Sequence, residues 1–543
     1  MQACGAYNAL HMKKQSFIAG ALIVSVGGIA AKLFGALYRI PLSNLLGGEG
    51  MGIYQMVYPF YCLLLTLSAT GIPSGLARIV ARLETEGGAA ASRAALKKAL
   101  FLFCAVGLGG SLIMFAAAPL MSALQNEPSA AAAYRMLAPS VFAVAAVSCF
   151  RGYFQGRGNF LPTALSEIFE QIVKVGLGLF FAYTYRGDAP RAVAYTLLAV
   201  TASETAAAVF MLACGYFFRA GGVKPLYRER PKGEIGAAPI LRFILPVAVS
   251  AGILPLSNLL DSILIVRLIG KYSPNATALY GVFAGGAATL VNLPVSVCYG
   301  LAAAIVPLAA SLYAKGRAAE AEKKIAFALK CTLFVSVPSA AFLFAFPSET
   351  AALLFRSVQG EEGVWLVRLI RIMSVGAVLL SAVQTLSACL TGRGKPKIAA
   401  ACMSAAVAVK IILELILLRI PEISISGAAI ATICCYFVAL IGDLLYSVRD
   451  KKLLARTGID FLHFAAAAAV SVGAAYPLRF AGAILPLAVT GAAYLALCLL
   501  TKCFSREELG LFGRLKNNDH RNRAGVLPRR SHGCRKGRDP VGR

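Results

Sequence analysis

The chain has 543 residues, 58% of them hydrophobic and 14% charged, with a mean hydropathy of +0.72 and a formal net charge of +28. Soluble chains carry about 25% charged residues, so this composition excludes a water-soluble globular fold and makes lipid the solvent for most of the protein. The positive balance does not point to nucleic acid, because the cations collect in short segments between apolar stretches, as the positive-inside rule predicts, and no basic patch is interleaved with aromatics.

In chain order, Met12-Lys13-Lys14-Gln15-Ser16 reads as a natural start ahead of the first apolar span, with the eleven preceding residues as an extension. Residues 1–16 are expected to be cytoplasmic. The stretch from Phe17 to about Tyr38 exceeds the 7–15 residues of a typical signal-peptide core and ends without a small-residue cleavage site. It is therefore expected to be a retained helix.

A transmembrane helix needs about 20 apolar residues. Candidate spans run over 17–38, 52–82, 99–124, 135–154, 161–185, 192–218, 240–266, 278–312, 326–346, 364–390, 398–418, 424–447, 461–478 and 482–502. The fold class is therefore all-α and polytopic, with about 14 transmembrane helices. The second and eighth spans are too long for one straight crossing, and Pro59, Pro73, Pro294 and Pro307 are the candidate hinges within them.

Charges between spans alternate. One set of connections holds Lys13/Lys14, Arg93/Lys97/Lys98, Arg151/Arg157, Lys224/Arg228/Arg230/Lys232, Lys315/Arg317/Lys323/Lys324, Arg393/Lys395/Lys397 and Arg449/Lys451/Lys452/Arg456. The other set holds scattered cations such as Arg186, Lys271 and Arg419. That asymmetry places both termini in the cytoplasm, in agreement with an even number of spans.

An internal repeat is visible. Gly156-Arg157-Gly158 is followed by Lys174, eighteen residues after its first glycine, and Gly392-Arg393-Gly394 is followed by Lys410 at the same interval. Gly75-Leu76-Ala77 is echoed by Gly300-Leu301-Ala302. Six spans separate the copies, so they share one orientation, which implies two pseudo-symmetric six-helix lobes and two C-terminal helices. Parallel repeats of this kind hold substrate between the lobes in alternating-access transporters. The expected organisation is an N-lobe over 17–219, a basic cytoplasmic linker over 220–239, a C-lobe over 240–447, two helices over 461–502 and a basic disordered cytoplasmic tail over 505–543. The tail has eleven basic residues against four acidic ones.

Charges inside apolar spans cost about 2.5–3.5 kcal/mol each on insertion scales, so they must face a cavity, pair or reach an interface. Gly28, Lys32, Gly35 and Arg39 share one face of the first span. Arg78 and Arg82 lie on the second, Glu167, Glu170 and Lys174 on the fifth, and Glu204 on the sixth. Asn258, Asp261 and Arg267 lie on the seventh, and Lys410 and Glu414 on the eleventh. Glu170–Lys174 and Lys410–Glu414 have the spacing of neutralising i,i+4 pairs, and Arg39, Arg82 and Arg267 can also reach an interface. The cations Lys32, Arg39, Arg78, Arg82, Lys174, Arg267 and Lys410 are the candidate substrate contacts, suited to an anionic head group. Asp261, Glu204 and Glu170 are the candidate ion-coupling groups.

Eleven of the fourteen cysteines lie inside apolar spans, none forms a C-x-x-C, and the four histidines stand at no ligand spacing from them. No metal site, cofactor or catalytic centre is expected. Gly47–Gly52 lacks the G-x-x-x-x-G-K-[ST] pattern of a phosphate loop.

The runs Phe34–Leu42, Gly47–Pro59 and Ser68–Pro73, with Gln155-Gly156-Arg157-Gly158 and its second copy, closely resemble the stage V sporulation protein B group. That group lies in the multidrug/oligosaccharidyl-lipid/polysaccharide (MOP) flippase superfamily, beside the lipid II flippases. The resemblance covers about residues 13–500. It implies a flippase, not an enzyme, that moves an undecaprenyl-pyrophosphate-linked oligosaccharide, most simply lipid II, to the outer leaflet of the bacterial cytoplasmic membrane for cell-wall synthesis or sporulation. The alternatives are a flippase for another polysaccharide precursor and a multidrug or ion antiporter of the same superfamily. The implied partners are the lipid-linked substrate, the bilayer and cell-wall synthesis proteins, around a monomer. Cavity arginines of that group on the first and second helices are matched in type by Arg39 and Arg78. Its third, on the eighth helix, has no internal counterpart here beyond Arg267 just before it.

Overall fold

A computed structural model describes residues 17–69, 71–86, 88–220, 251–298, 312–313, 315–447 and 451–504, with backbone only for 17–33, 36, 85–86, 217–220 and 451–454. The expected linker over 220–239, the tail over 505–543, Pro307 and the Gly300 echo lie outside these residues, apart from Ala220. Two compact units divide the chain, Met1–Tyr494 and Leu495–Arg543.

Every described regular element is helical. In lipid a backbone must bond to itself, which helices do within one segment. The helices are α1 (Phe17–Ala69), α2 (Ile72–Glu86), α3 (Gly88–Leu124), α4 (Ala130–Leu137), α5 (Pro139–Gly156), α6 (Leu161–Thr184), α7 (Ala189–Ala220), α8 (Ile253–Ile269), α9 (Ala276–Cys298), α10 (Ala318–Ala345), α11 (Pro347–Leu354), α12 (Gly360–Gly392), α13 (Pro396–Leu417), α14 (Ser426–Ser447), α15 (Lys451–Ala475) and α16 (Ile484–Leu500). The chain is an all-α polytopic membrane protein.

Ten of the described helices and helix runs are long and apolar enough to cross a membrane. The difference from fourteen has identifiable sources. The first two expected spans fall in one helical run that includes α1 on both sides of its break at Gly47, and α6 carries Glu167, Glu170 and Lys174. Only part of the seventh span is described, as α8, and α16 has 17 residues.

Glycines and prolines set the breaks. Gly47 (φ 69°, ψ −174°) interrupts α1, and Gly71 (φ 92°) separates α1 from α2, conformations a Cβ disfavours. Pro73 follows at the second position of α2, where its missing N–H costs little. Pro59 lies within α1 and Pro294 within α9, whose 281–287 segment is π-helical.

Similar pairings recur in both halves. α3 packs on α5, α6 on α7 and α5 on α7; α10 packs on α12, α13 on α14 and α12 on α14. An eight-residue helix, α4 or α11, stands at the corresponding connection of each half. The two G-R-G turns are alike in backbone. Arg157 (φ −82°, ψ 0°) and Arg393 (φ −76°, ψ 1°) cap α5 and α12, and Gly158 and Gly394 take φ of 74° and 75°. Arg157 then reaches Glu84 on α2 at 3.1 Å, whereas Arg393 donates to the Ser447 carbonyl at 2.7 Å and stacks over Tyr313.

Large apolar side chains cover the outside. On α3, Phe101, Leu112, Ile113 and Phe115 are exposed while Phe103, Gly107 and Met114 are buried, the pattern of a helix with one lipid face and one protein face. α1 packs against α3, α5, α6 and α7 and also against α8 and α9, so it is shared by both halves.

Candidate functional site

Three arrangements of polar groups stand out among the described residues. The first is in the N-terminal half. Arg151 on α5 donates to Glu170 on α6 at 2.9 Å and to Ser166 at 3.0 Å, and Gln171 Nε2 donates to the other Glu170 oxygen at 3.1 Å. Buried Glu204 on α7 faces Glu170, Arg151 and Lys174, and Lys174 is in electrostatic reach of Glu170, Glu204 and Arg39. Arg39, half-buried, lies 5.9 Å from the Tyr58 ring centre, a cation–π contact on its own helix. Glu167 also faces Arg151. Among the described side chains the cluster therefore counts three cations, Arg39, Arg151 and Lys174, against three acids, Glu167, Glu170 and Glu204.

Sequence reasoning missed Arg151, assigning it to a loop beside Arg157. It stands inside α5 and takes the Glu170 carboxylate that i,i+4 spacing had assigned to Lys174. The signal available was Glu170 itself, an acid in an apolar span that requires a donor from a neighbouring helix.

The second arrangement is in the C-terminal half. Lys410 on α13 forms a hydrogen-bonded ion pair with Asp261 on α8, and Glu414 lies 3.9 Å from the same ammonium. The side chains of Lys410, Asp261 and Glu414 are 6%, 6% and 0% exposed, so all three are out of solvent. Lys174 and Lys410, the lysines of the repeat, thus each enter a buried charge cluster. Position 414 of α13 corresponds to Gly178 on α6, which instead receives the Tyr38 hydroxyl.

The third is a seam where the halves meet, at the Gly47 end of the helices. Asn44 Nδ2 donates to the Leu354 carbonyl at 2.7 Å, and the Ser357 N–H donates to Asn44 Oδ1 at 3.2 Å. Gln55 Nε2 donates to the Ala284 carbonyl at 3.1 Å. The Tyr280 hydroxyl donates to the Gln55 carbonyl at 3.3 Å, and Gln125 Nε2 donates to Ser262 Oγ at 2.8 Å. Gly52 lies on the Thr277 backbone and Gly281 on the backbone of Gly48 and Gly52, with no room for a Cβ at either. The glycines of Gly47–Gly52 therefore serve a helix break and a close approach of α1 to α9, as small residues do between membrane helices. None of these seam residues was singled out as functional from sequence beyond the glycine run.

Of the other candidate contacts, Arg78 and Arg82 on α2 and Arg267 in the last turn of α8 are exposed. Lys32 belongs to α1, with its side chain outside the described set. Two further acids, half-buried Asp460 and buried Asp443, escaped sequence reasoning. Asp460 on α15 pairs with Lys330 on α10 at 3.1 Å, and Asp443 on α14 accepts from Ser387 at 2.5 Å. Both partners lie far away in sequence, so no spacing rule reveals them.

Comparison with known proteins places this architecture. The profile of the polysaccharide biosynthesis protein family matches residues 17–313, and the MatE profile matches 246–416. The chain is 26% identical to stage V sporulation protein B of Bacillus subtilis (strain 168), over 93% of this chain and 99% of that one. It is 22% identical to the lipid II flippase MurJ of the same organism, over 83% and 87%. Among solved structures, the inward closed conformation of lipid II flippase MurJ fits with a TM-score of 0.67 at 14% identity, over 88% of this chain and 98% of that one. The inward-facing conformation of a multidrug resistance MATE family transporter fits with 0.64 at 18% identity, over 81% and 98%. The chain belongs to the polysaccharide biosynthesis protein family.

Proposed function

We propose that this protein flips an undecaprenyl-pyrophosphate-linked oligosaccharide, with lipid II as the leading cargo, from the inner to the outer leaflet of the bacterial cytoplasmic membrane. The two six-helix lobes would alternate access around α1 as a monomer, with both termini in the cytoplasm and the Gly47 end facing outward. The carrying observation is the seam, in which α1 is bound to α9 and to the α11–α12 connection by glycine contacts and side-chain bonds. Such a contact between halves closes one end, and releasing cargo there requires it to part.

Arg39 suits a pyrophosphate because it combines a fixed charge with a planar fork of donors. It sits two turns before Gly47 on the helix shared by both halves, beside the N-terminal charge cluster. Lys174 is the second candidate contact in that cluster. Exposed Arg78, Arg82 and Arg267 are assigned to steering or interfacial anchoring in this scheme. Cell-wall synthesis proteins would receive the exported precursor.

The test is complementation of a lipid II flippase-depleted strain, read by the external accessibility of labelled lipid II. Expression of the wild-type protein should restore accessibility, and Arg39→Ala should reduce it at least tenfold at equal membrane abundance. Wild-type activity in Arg39→Ala would remove that residue from the cargo path. The MatE match over 246–416 supports one second reading, a multidrug antiporter. Drug resistance on overexpression, with no rescue of lipid II export, would select it.

A further inference from the structure

The two interior clusters differ in charge. Among the described side chains the N-terminal one balances three cations against three acids, whereas Asp261, Lys410 and Glu414 bring two carboxyls to one ammonium. All three are nearly or fully buried. Asp261 Oδ1 and both Glu414 oxygens have no hydrogen-bond partner among the described residues when both groups are taken as carboxylates. Yet both carboxyls crowd one ammonium, Asp261 in a hydrogen bond to it and Glu414 at 3.9 Å. Two ionised carboxylates cannot donate to one another, and a buried unpaired charge costs several kcal/mol.

We propose that Asp261 and Glu414 share one exchangeable proton, with Lys410 as a built-in counter-ion. One proton makes the triad neutral and supplies the missing donor, from one carboxyl to the other. Losing it leaves a net negative charge between α8 and α13, which favours separation of those helices or capture of another cation. Among the described residues, the groups that face the triad are the Tyr280 hydroxyl on α9, Tyr436 and Cys435 on α14, and Tyr134 on α4 behind Tyr280; none of these adds a positive charge. Use of this proton as the coupling ion rests on the transport reading above, but its presence does not.

The shared proton has a signature that a structural ion pair lacks. In the protein purified into nanodiscs, infrared difference spectra between neutral and alkaline pH should show one carboxylic-acid C=O band that either Glu414→Gln or Asp261→Asn removes. Each substitution leaves one carboxyl for one lysine, and such a pair is neutral without an added proton. Lys410→Met should instead add a second carboxylic-acid equivalent. A band that survives both acid substitutions overturns the proposal, and so does its absence from the wild-type protein, which needs no variant to fold. A rise in Tm with sodium over choline chloride that Asp261→Asn abolishes would also overturn it, by showing a metal-ion site. If the band behaves as stated while the protein fails to export lipid II, the proton site stands and the cargo assignment falls.

Discussion

Arg151 shows how a single residue organises the N-terminal half. Its guanidinium joins α5 to α6 through Glu170 and Ser166 and is the donor that makes burial of that carboxylate possible. Breaking a buried pair costs up to about 3–5 kcal/mol, because the surviving charge loses its ion-pair partner. Arg151→Met should therefore lower the Tm of the purified protein clearly, and the double variant Arg151→Met/Glu170→Met should recover most of the loss. Additive losses in that cycle would show that the two do not act as a pair. Such pairs were largely illegible in the sequence. Periodicity ranks charges along one helix, so it matched Lys410 with Glu414 on α13. The closer partner, Asp261, is 149 residues away on α8 and depends on how helices assemble. Arg151 was obscured for another reason: it lies five residues before a turn rich in glycine, where helix ends are read with least precision.

At the scale of elements, the informative features are glycines. The tripeptide Gly392-Arg393-Gly394 was visible as a second copy of Gly156-Arg157-Gly158, and both fold as the same left-handed helix stop. That much follows from local backbone preference, which sequence records directly. Gly52 is different. Its sequence context marks only the start of the second candidate span, and its role comes from the Thr277 backbone lying where its Cβ would be. Inserting a side chain into such a contact costs about 1–3 kcal/mol, and the simplest relief is separation of α1 from α9. Gly52→Val is therefore expected to open the seam while leaving α1 helical. The measurement is maleimide labelling of Ser357→Cys, beside Asn44, in the Gly52→Val background and in the parent. Labelling several-fold faster in the former supports the close-approach role, and equal rates reject it.

At the scale of the whole molecule, hydropathy was enough for the fold class, since 58% hydrophobic residues arranged in long runs leave little but a helical membrane bundle. The division into halves was legible through the repeat, and matched pairings of α3, α5, α6 and α7 with α10, α12, α13 and α14 support it. What the sequence could not supply is the contact between halves, because the seam is built from backbone carbonyls, glycines and amide side chains that carry no periodic signal. That contact supports the most direct test of alternating access. Asn44 and Ser357 already touch, through a backbone N–H at 3.2 Å and a hydroxyl at 3.4 Å. A disulfide or short bifunctional link between Asn44→Cys and Ser357→Cys would hold the Gly47 end shut without altering either charge cluster. If cargo leaves by that end, the linked protein should still bind its substrate but export none, and a reductant should restore export. Each variant with only one of the two introduced cysteines should export normally under the same oxidant. Undiminished export by the fully linked protein would mean that the seam is a static support, and the path for cargo would have to lie elsewhere between the helices.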